Sequence, residues 1–428
     1  MSRTSRVLVV GTTSDYVDWL RRHAPGRTLF LTDRRHRERA LEPAPPAAEE
    51  LLAHLEDLDG TRRALGRYLA EHSHDVQGVT CFDCESLELA ARVAADLGLP
   101  YPSVDAVRIC RDKGLQHERW RAAGLPCPRT SRVHSAADAA RFLGECKGGQ
   151  AVLKPATGGG SELVFRVSGP ADCERAFSLI RRGLEARRDH RMYRVRGEER
   201  GAGNDPAVVA EELVTGEEYS ADFLLEDDAV RLLRLARKVG CSRSPFGTIR
   251  GYLAPVDPPP GLDSERLVQT LRRSATSLGI ERSICMVDFF VRDGELTLLE
   301  LAPRPGGDCL PALLRQACGL DILVLALDFA ARRPLGLDGL PRGEPRLGLR
   351  LHASRAGVLR AIDATALAAD PRVQEVQLIR RPPHVVRLPP ADYDSWLLGH
   401  AVAVPNAAEE LDEQCERLHA LLNVEIGA

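Results

Sequence analysis

Over the first hundred residues short apolar runs alternate with amphipathic stretches, and no other feature restricts the fold of this chain as much. Arg6-Val7-Leu8-Val9-Val10 reads as a buried strand, followed by the Gly11-Thr12-Thr13 turn and an amphipathic segment from Asp15 to His23. Leu29 to Leu31 reads as a second strand. Val76 to Cys81 reads as a third, with a helix from Ser86 to Leu97 behind it that Gly98 closes. Strands separated by helices in this way run parallel with their connections packed on the faces, so the opening region is expected to be a parallel α/β domain. Gly11 stands alone where G-x-G-x-x-G would be required, which argues against a dinucleotide redox site.

The pattern then changes. A helix is expected from Arg108 through Trp120, ended by Gly124 and Pro126. Ala151 to Lys154, a glycine-rich turn, Leu163 to Val167 and a helix from Ala171 to Leu184 make a small α+β unit. Arg187 to Asp205 is charged and glycine-rich and reads as a surface loop. Strands are expected at Val208–Leu213, Tyr219–Leu225, Val230–Leu235, Cys285–Val291 and Leu296–Leu301, the last two joined through Arg292-Asp293-Gly294, whose Asp-Gly pair signals a hairpin. Gly319 closes a helix from Leu310 to Cys318. Beyond the Pro- and Gly-rich stretch from Arg333 to Pro345 come short strands (Leu347–Leu351, Val373–Leu378) and a final helix, Ala407 to Leu422.

The charge balance, 58 basic against 61 acidic residues, offers no excess for a polyanion, so neither nucleic acid nor an anionic membrane is the expected partner. The apolar runs at Val7–Val10 and Ile322–Leu327 are too short for a signal peptide or a membrane span. Eleven cysteines with a single CxxC, Cys81 and Cys84, fit neither a zinc site nor a disulfide framework, and a reduced cytoplasmic setting is expected. Of the basic residues 54 are Arg; the lysines are Lys113, Lys147, Lys154 and Lys238 alone. Arg stands wherever a solvated cation suffices, so the surviving lysines mark places where a compact, rotating ammonium cannot be replaced by a flat fork. The alternative is that they remain by chance.

Two motifs carry chemistry. Lys154 ends an apolar strand and is followed by Gly158-Gly159-Gly160-Ser161, a backbone without side-chain obstruction whose N–H groups can close on phosphate while the ammonium meets the α or β phosphate; the plain alternative is a glycine hairpin. A Walker A loop is excluded, because no Gly-Lys dipeptide occurs. On the hairpin, Asp288 and Glu300 each interrupt an apolar strand. Paired oxygen ligands for Mg²⁺ explain them economically, with an acid–base pair or a salt bridge to Arg304 as the rivals. Arg304, between Pro303 and Pro305, suits a bidentate hold on carboxylate or phosphate.

Taken in order, Asp112-Lys113, Val152-Leu153-Lys154-Pro155 with its glycine loop, Glu211 through Ser220, Asp288, and Glu300-Leu301-Ala302-Pro303-Arg304 resemble the successive motifs of the ATP-grasp superfamily. The run from Gly306 to Pro311 with Ala317 to Asp321 is similar to its carboxylate-amine ligases that join amino acids. The resemblance implies an ATP-grasp fold, α/β and α+β: an N-terminal Rossmann-like parallel α/β domain (1–105), a small lid subdomain (106–187), a large subdomain (188–332) and a small C-terminal α+β domain (333–428).

It implies ATP with Mg²⁺, or Mn²⁺ in its place, and an amide bond formed from a small carboxylate and a small amine through an acyl phosphate with release of ADP; it leaves room for a homodimer. By the same resemblance Lys113 and Lys154 contact ATP phosphates, Glu211 with the backbone of Glu212 and Val214 reads the adenine, Glu218 holds the ribose, Asp288 and Glu300 bind the metal, and Arg304 steadies the acyl phosphate. Lys238 either neutralises charge near the phosphate or is a surface lysine. Ala302 departs from the pattern, which has Asn there, and loses one metal oxygen. Rival readings are a purine-biosynthesis or biotin-carboxylase-like enzyme of the same superfamily, or a protein that binds ATP without turning it over.

Overall fold

The computed structural model describes residues 5–188, 190–193, 207–240, 245–337 and 342–427. Most of the Arg187–Asp205 loop lies outside the described residues. The first domain has the expected parallel sheet, with four strands rather than three: Glu50–Ala53, Thr28–Asp33, Ser5–Val10 and Asp75–Thr80 lie side by side in that order. Glu50–Ala53 is only four residues long, too short for its apolar character to register in the sequence. The helices Ser14–His23 and Leu58–Glu71 connect strands of this sheet, and Leu87–Asp96 follows its last strand.

The expected helix from Arg108 to Trp120 is two helices, Val104–Arg111 and Lys113–Ala122. Asp112 ends the first and its carboxylate caps the second by accepting from the Leu115 N–H. A cap of this kind satisfies an otherwise orphaned donor, and it places Lys113 in the first turn of the second helix. The small subdomain holds a four-stranded antiparallel sheet in the order Thr130–Val133, Val208–Glu212, Ala151–Pro155, Phe165–Val167, packed against the helices Ala136–Gly144 and Pro170–Ala186. One of its inner strands, 208–212, thus comes from beyond residue 187.

The largest sheet has eight strands. Glu295–Ala302, Ser283–Arg292, Glu217–Glu226, Ala229–Gly240 and Ile249–Ala254 are continued by Arg346–His352, Leu397–Ala403 and Val373–Leu378. Three strands of the 333–428 region therefore extend the large subdomain's sheet, and Gly357–Asp363, His384–Val386 and Asn423–Gly427 form a separate three-stranded sheet. The final helix is Leu411–His419, shorter than expected because the chain turns into that last strand. Among the described residues no single helix is long and apolar enough to cross a membrane. Ile322–Ala330, the most apolar helix, buries its side chains against the Val7 and Val9 face of the first sheet.

Candidate functional site

The hairpin folds as its Asp-Gly pair predicts. Asp293 and Gly294 both have positive φ, +52° and +76°, the geometry that a two-residue turn between right-twisted strands requires. The turn sets the register as far as Phe289 opposite Leu298, and a one-residue bulge at Leu299 then shifts it so that Asp288 lies directly opposite Glu300 and, on its other side, opposite Ser220. Directly opposed residues share a face, so both carboxylates project on one side of the large sheet while Val287, Phe289 and Leu301 fill the core. Lys238, on the Ala229–Gly240 strand, bridges from Glu218 Oε1 (2.8 Å) to Asp288 Oδ2 (2.6 Å). Burial pulls its ammonium toward neutrality, but Asp288 and Glu218 outweigh this and hold it charged. The Lys238 side chain is enclosed between these two carboxylates, which does not fit the surface-lysine alternative.

Lys113 Nζ lies 3.4 Å from Glu300 Oε1 and donates to the Gly158 carbonyl at 2.8 Å. Lys154 Nζ lies 2.7 Å from Glu211 Oε2. Three of the four lysines thus converge on four carboxylates, whereas Lys147 is exposed. Two of these carboxylates keep capacity open: Glu211 Oε1 and Asp288 Oδ1 are buried and have no hydrogen-bond partner among the described residues. A buried acceptor without a donor costs about 1–3 kcal/mol, so each is suited to a group from outside: an amino N–H at Glu211, a cation at Asp288. Among the described residues no three His, Cys, Asp or Glu side chains form a metal cluster. Two carboxylates alone fit Mg²⁺ completed by phosphate oxygens and water, and the Ala302 position adds no oxygen.

The glycine loop is held at both ends. Gly158 and Gly160 have φ of +147° and +62°, and Ser161, also at positive φ, donates from Oγ to the Gly247 carbonyl at 2.6 Å. The Tyr193 ring lies against Gly158, 3.2 Å from where a Cβ would sit, so a side chain there is excluded by space as well as by backbone. The Val214 N–H has no acceptor among the described residues, as an adenine contact requires, but the Glu212 N–H is already bonded to the Arg129 carbonyl at 2.9 Å.

Arg304 makes no salt bridge with Asp288 or Glu300; its Nε donates to Cys84 Sγ (2.9 Å) and Nη1 to the Pro305 carbonyl (2.7 Å). A narrow cleft runs beside it, lined by Cys84, Arg111, Gly158, Met192, Glu300 and Ala302. The loop after Arg304 is fixed from below. The Gly306 N–H donates to Asp222 Oδ1 (2.9 Å), Asp222 Oδ2 accepts from Arg234 Nε (2.8 Å), and the guanidinium, fully buried, also meets the Ser220 carbonyl and hydroxyl.

Sequence reasoning missed this Asp222–Arg234 anchor. It also missed His117, which contacts Thr130 Oγ1 and the Leu299 carbonyl at 2.6 and 2.7 Å and lies 3.7 Å from Glu211 Oε1. Burial lowers the His117 pKa, against the pull of Glu211. His117 stands in a polar stretch and carries no signal of its own, and Arg234, although it interrupts an apolar strand, does not name its partner; only the sheet register brings these side chains together.

Residues 149–312 match the family model described as the ATP-grasp domain. A D-alanine–D-alanine ligase of Paracidovorax citrulli is 28% identical over 306 residues, covering 68% of this chain and 79% of that protein. Carnosine synthase 1 of Homo sapiens is 27% identical over 273 residues, 62% of this chain and 32% of that protein. The crystal structure of an L-amino acid ligase from Bacillus licheniformis covers 100% of both chains with a TM-score of 0.79 at 21% identity. With five motifs in order, the strand-borne carboxylates and the glycine loop in place, the chain carries an ATP-grasp domain over residues 149–312 and is similar to carboxylate-amine ligases.

Proposed function

We propose that the protein is an ADP-forming ligase that joins a small carboxylate to a small amine, with amino acids or similar molecules as substrates, through an acyl phosphate. The observation that carries this reading is the convergence of three lysines on four carboxylates with Glu211 Oε1 and Asp288 Oδ1 left open. Glu211 and the Val214 N–H receive the adenine edge, Glu218 the ribose hydroxyls, and Lys154 and Lys113 the phosphates. Asp288 and Glu300 would hold Mg²⁺, which when bound neutralises phosphate charge and fixes the phosphoryl group for in-line attack. Each lysine exchanges a carboxylate partner for phosphate.

No nucleophilic side chain is required. The substrate carboxylate attacks the γ-phosphate, ADP leaves, and the amine displaces phosphate from the acyl carbon. The chain supplies position and charge: Arg304, beside the Glu300 cleft, steadies the acyl phosphate, and the loop from Gly158 to Ser161, closed onto Gly247, keeps water out. Screening pairs of amino acids for phosphate release, with nucleotide products separated by chromatography, tests the proposal. ADP formation that requires both a carboxylate and an amine is expected; AMP and pyrophosphate would overturn it.

Two further results are expected. Lys154→Arg loses most activity although the charge is kept, because a flat fork cannot fit between Glu211 and the phosphate; Lys147→Arg is silent. Equal tolerance of both in steady-state rates would return these lysines to chance. Ala302→Asn adds a neutral oxygen beside Glu300 and lowers the Mg²⁺ concentration for half-maximal rate by roughly ten-fold, the effect of about 1–1.5 kcal/mol in one polar contact. A Mg²⁺ titration at saturating ATP reads this directly.

A further inference from the structure

Beyond the nucleotide site, the same face of the large sheet continues into a second polar cluster. Lys238 pairs across the sheet with Tyr252, Tyr252 with Gly348, Gly348 with Val402 and Val402 with Glu375. Two residues along the strands, Arg350, His400 and Gln377 form a parallel row, Arg350 opposite His400 and His400 opposite Gln377. Residues two apart on a strand, and residues directly opposed, share a face, so His400 lies on the same face as Lys238.

The row is flanked by carboxylates from other parts of the chain. Arg350 Nε lies 2.6 Å from Asp308 Oδ2, and Gln377 Nε2 donates to Asp15 Oδ2 at 3.3 Å. The Tyr16 hydroxyl reaches the Asp308 carbonyl at 3.4 Å. The position a Cβ would take on Gly307 is 3.8 Å from Arg304 Nη1 and 3.9 Å from the Tyr16 hydroxyl, so Gly307, next to Asp308, links the cluster to Arg304. Asp308 itself is exposed. Within this row His400 is 7% exposed, and its Nε2 has no hydrogen-bond partner. A buried ring nitrogen left open, with Asp308, Glu375 and Asp15 around it, is unusual, since buried polar atoms are normally satisfied.

We propose that His400 Nε2 takes the proton that the incoming amine must lose before it attacks the acyl phosphate. The proposal rests on the ligase reading above. An amine substrate arrives at neutral pH as an ammonium ion, which has no lone pair. His400 accepts one of its protons on Nε2; the freed nitrogen pair forms the C–N bond; the bond from the acyl carbon to the phosphate oxygen breaks, and phosphate leaves with that electron pair. The second proton of the nitrogen goes to the departing phosphate, and the imidazolium returns its proton to water.

Burial holds the imidazole below its ordinary pKa, opposed by Asp308, Glu375 and Asp15 and reinforced by Arg315, so the ring is unprotonated at neutral pH and ready to accept. The three carboxylates then steady the imidazolium. General-base assistance of this kind contributes about 10²–10⁴-fold.

Hydroxylamine, already a free base at neutral pH, separates this role from a structural one, because it captures an acyl phosphate as a hydroxamate without help from a base. With His400→Gln, kcat/KM for the amine at pH 7 is expected to fall about a hundredfold and then rise about tenfold per pH unit, while wild type stays level over the same range. Hydroxamate formation by the same variant falls far less. Asp15→Asn, on a different element, moves the acid limb of amide formation to lower pH in a protein that keeps His400, and serves if His400→Gln does not fold. Equal losses with both nucleophiles, or an Asp15→Asn limb that does not move, would overturn the proposal. Wild-type protein that forms amide but traps no hydroxamate would overturn it as well. If wild type forms neither hydroxamate nor amide with any carboxylate, it is the ligase reading that fails, and this proposal with it.

Discussion

Glu300→Gln is expected to lower turnover by about a thousandfold while leaving the fold intact. The substitution keeps shape and removes one of the two negative charges that the proposed function sets against the phosphates from the hairpin, the other being Asp288 directly opposite. With Ala302 in the neighbouring position, no third side chain compensates. Losing about 4 kcal/mol of transition-state stabilisation corresponds to a factor of roughly a thousand. The fold should tolerate the change because the Glu300 side chain is 29% exposed and its partner Lys113 keeps the Gly158 carbonyl. Steady-state rates with far-UV circular dichroism on the same samples check both halves. Near-normal turnover would make the hairpin carboxylates structural.

The second large effect is on stability. Asp222→Ala is expected to destabilise the protein by about 3–5 kcal/mol, because it leaves the guanidinium of Arg234, fully buried, without its carboxylate. It also leaves the Gly306 N–H without an acceptor, and with it the loop that carries Arg304. Asp222→Asn retains an oxygen for Gly306 and should lose less. Since several domains share this chain, the denaturant midpoint of the transition that reports the large sheet is the quantity to follow. The exposed Arg292→Ala serves as the reference, with an effect within about 0.5 kcal/mol. An Asp222→Ala midpoint equal to the reference would mean that the buried pair holds nothing in place.

How much of this was legible before folding depends on how local the signal is. The hairpin announces itself through Asp293-Gly294 and two apolar runs broken by one carboxylate each, and Gly319 closes its helix at φ +70° as the sequence suggests. The break at Asp112 was not legible, because apolar periodicity runs on through a residue whose capping role depends on its backbone angles. Asp222, Arg234 and Gly306 are separated by up to 84 positions and meet only through strand register. The Arg350–His400–Gln377 row likewise joins three strands of the 333–428 region, of which Leu397–Ala403 was not anticipated: its His400 and Gly399 interrupt the apolar alternation that marks a strand. The lysines stood out for a different reason. In a chain that uses Arg almost throughout, three of four lysines lie in one site, where a compact ammonium can pass from carboxylate to phosphate.

The central claim is that the carboxylate substrate is activated as an acyl phosphate, so one of its oxygens must leave with phosphate. Substrate carboxylate labelled with oxygen-18 at both positions, turned over with ATP and an amine, tests it by mass spectrometry of the products. The account predicts one labelled oxygen in each released phosphate, one retained in the amide and none in ADP. Unlabelled phosphate, or label carried into AMP, would contradict it.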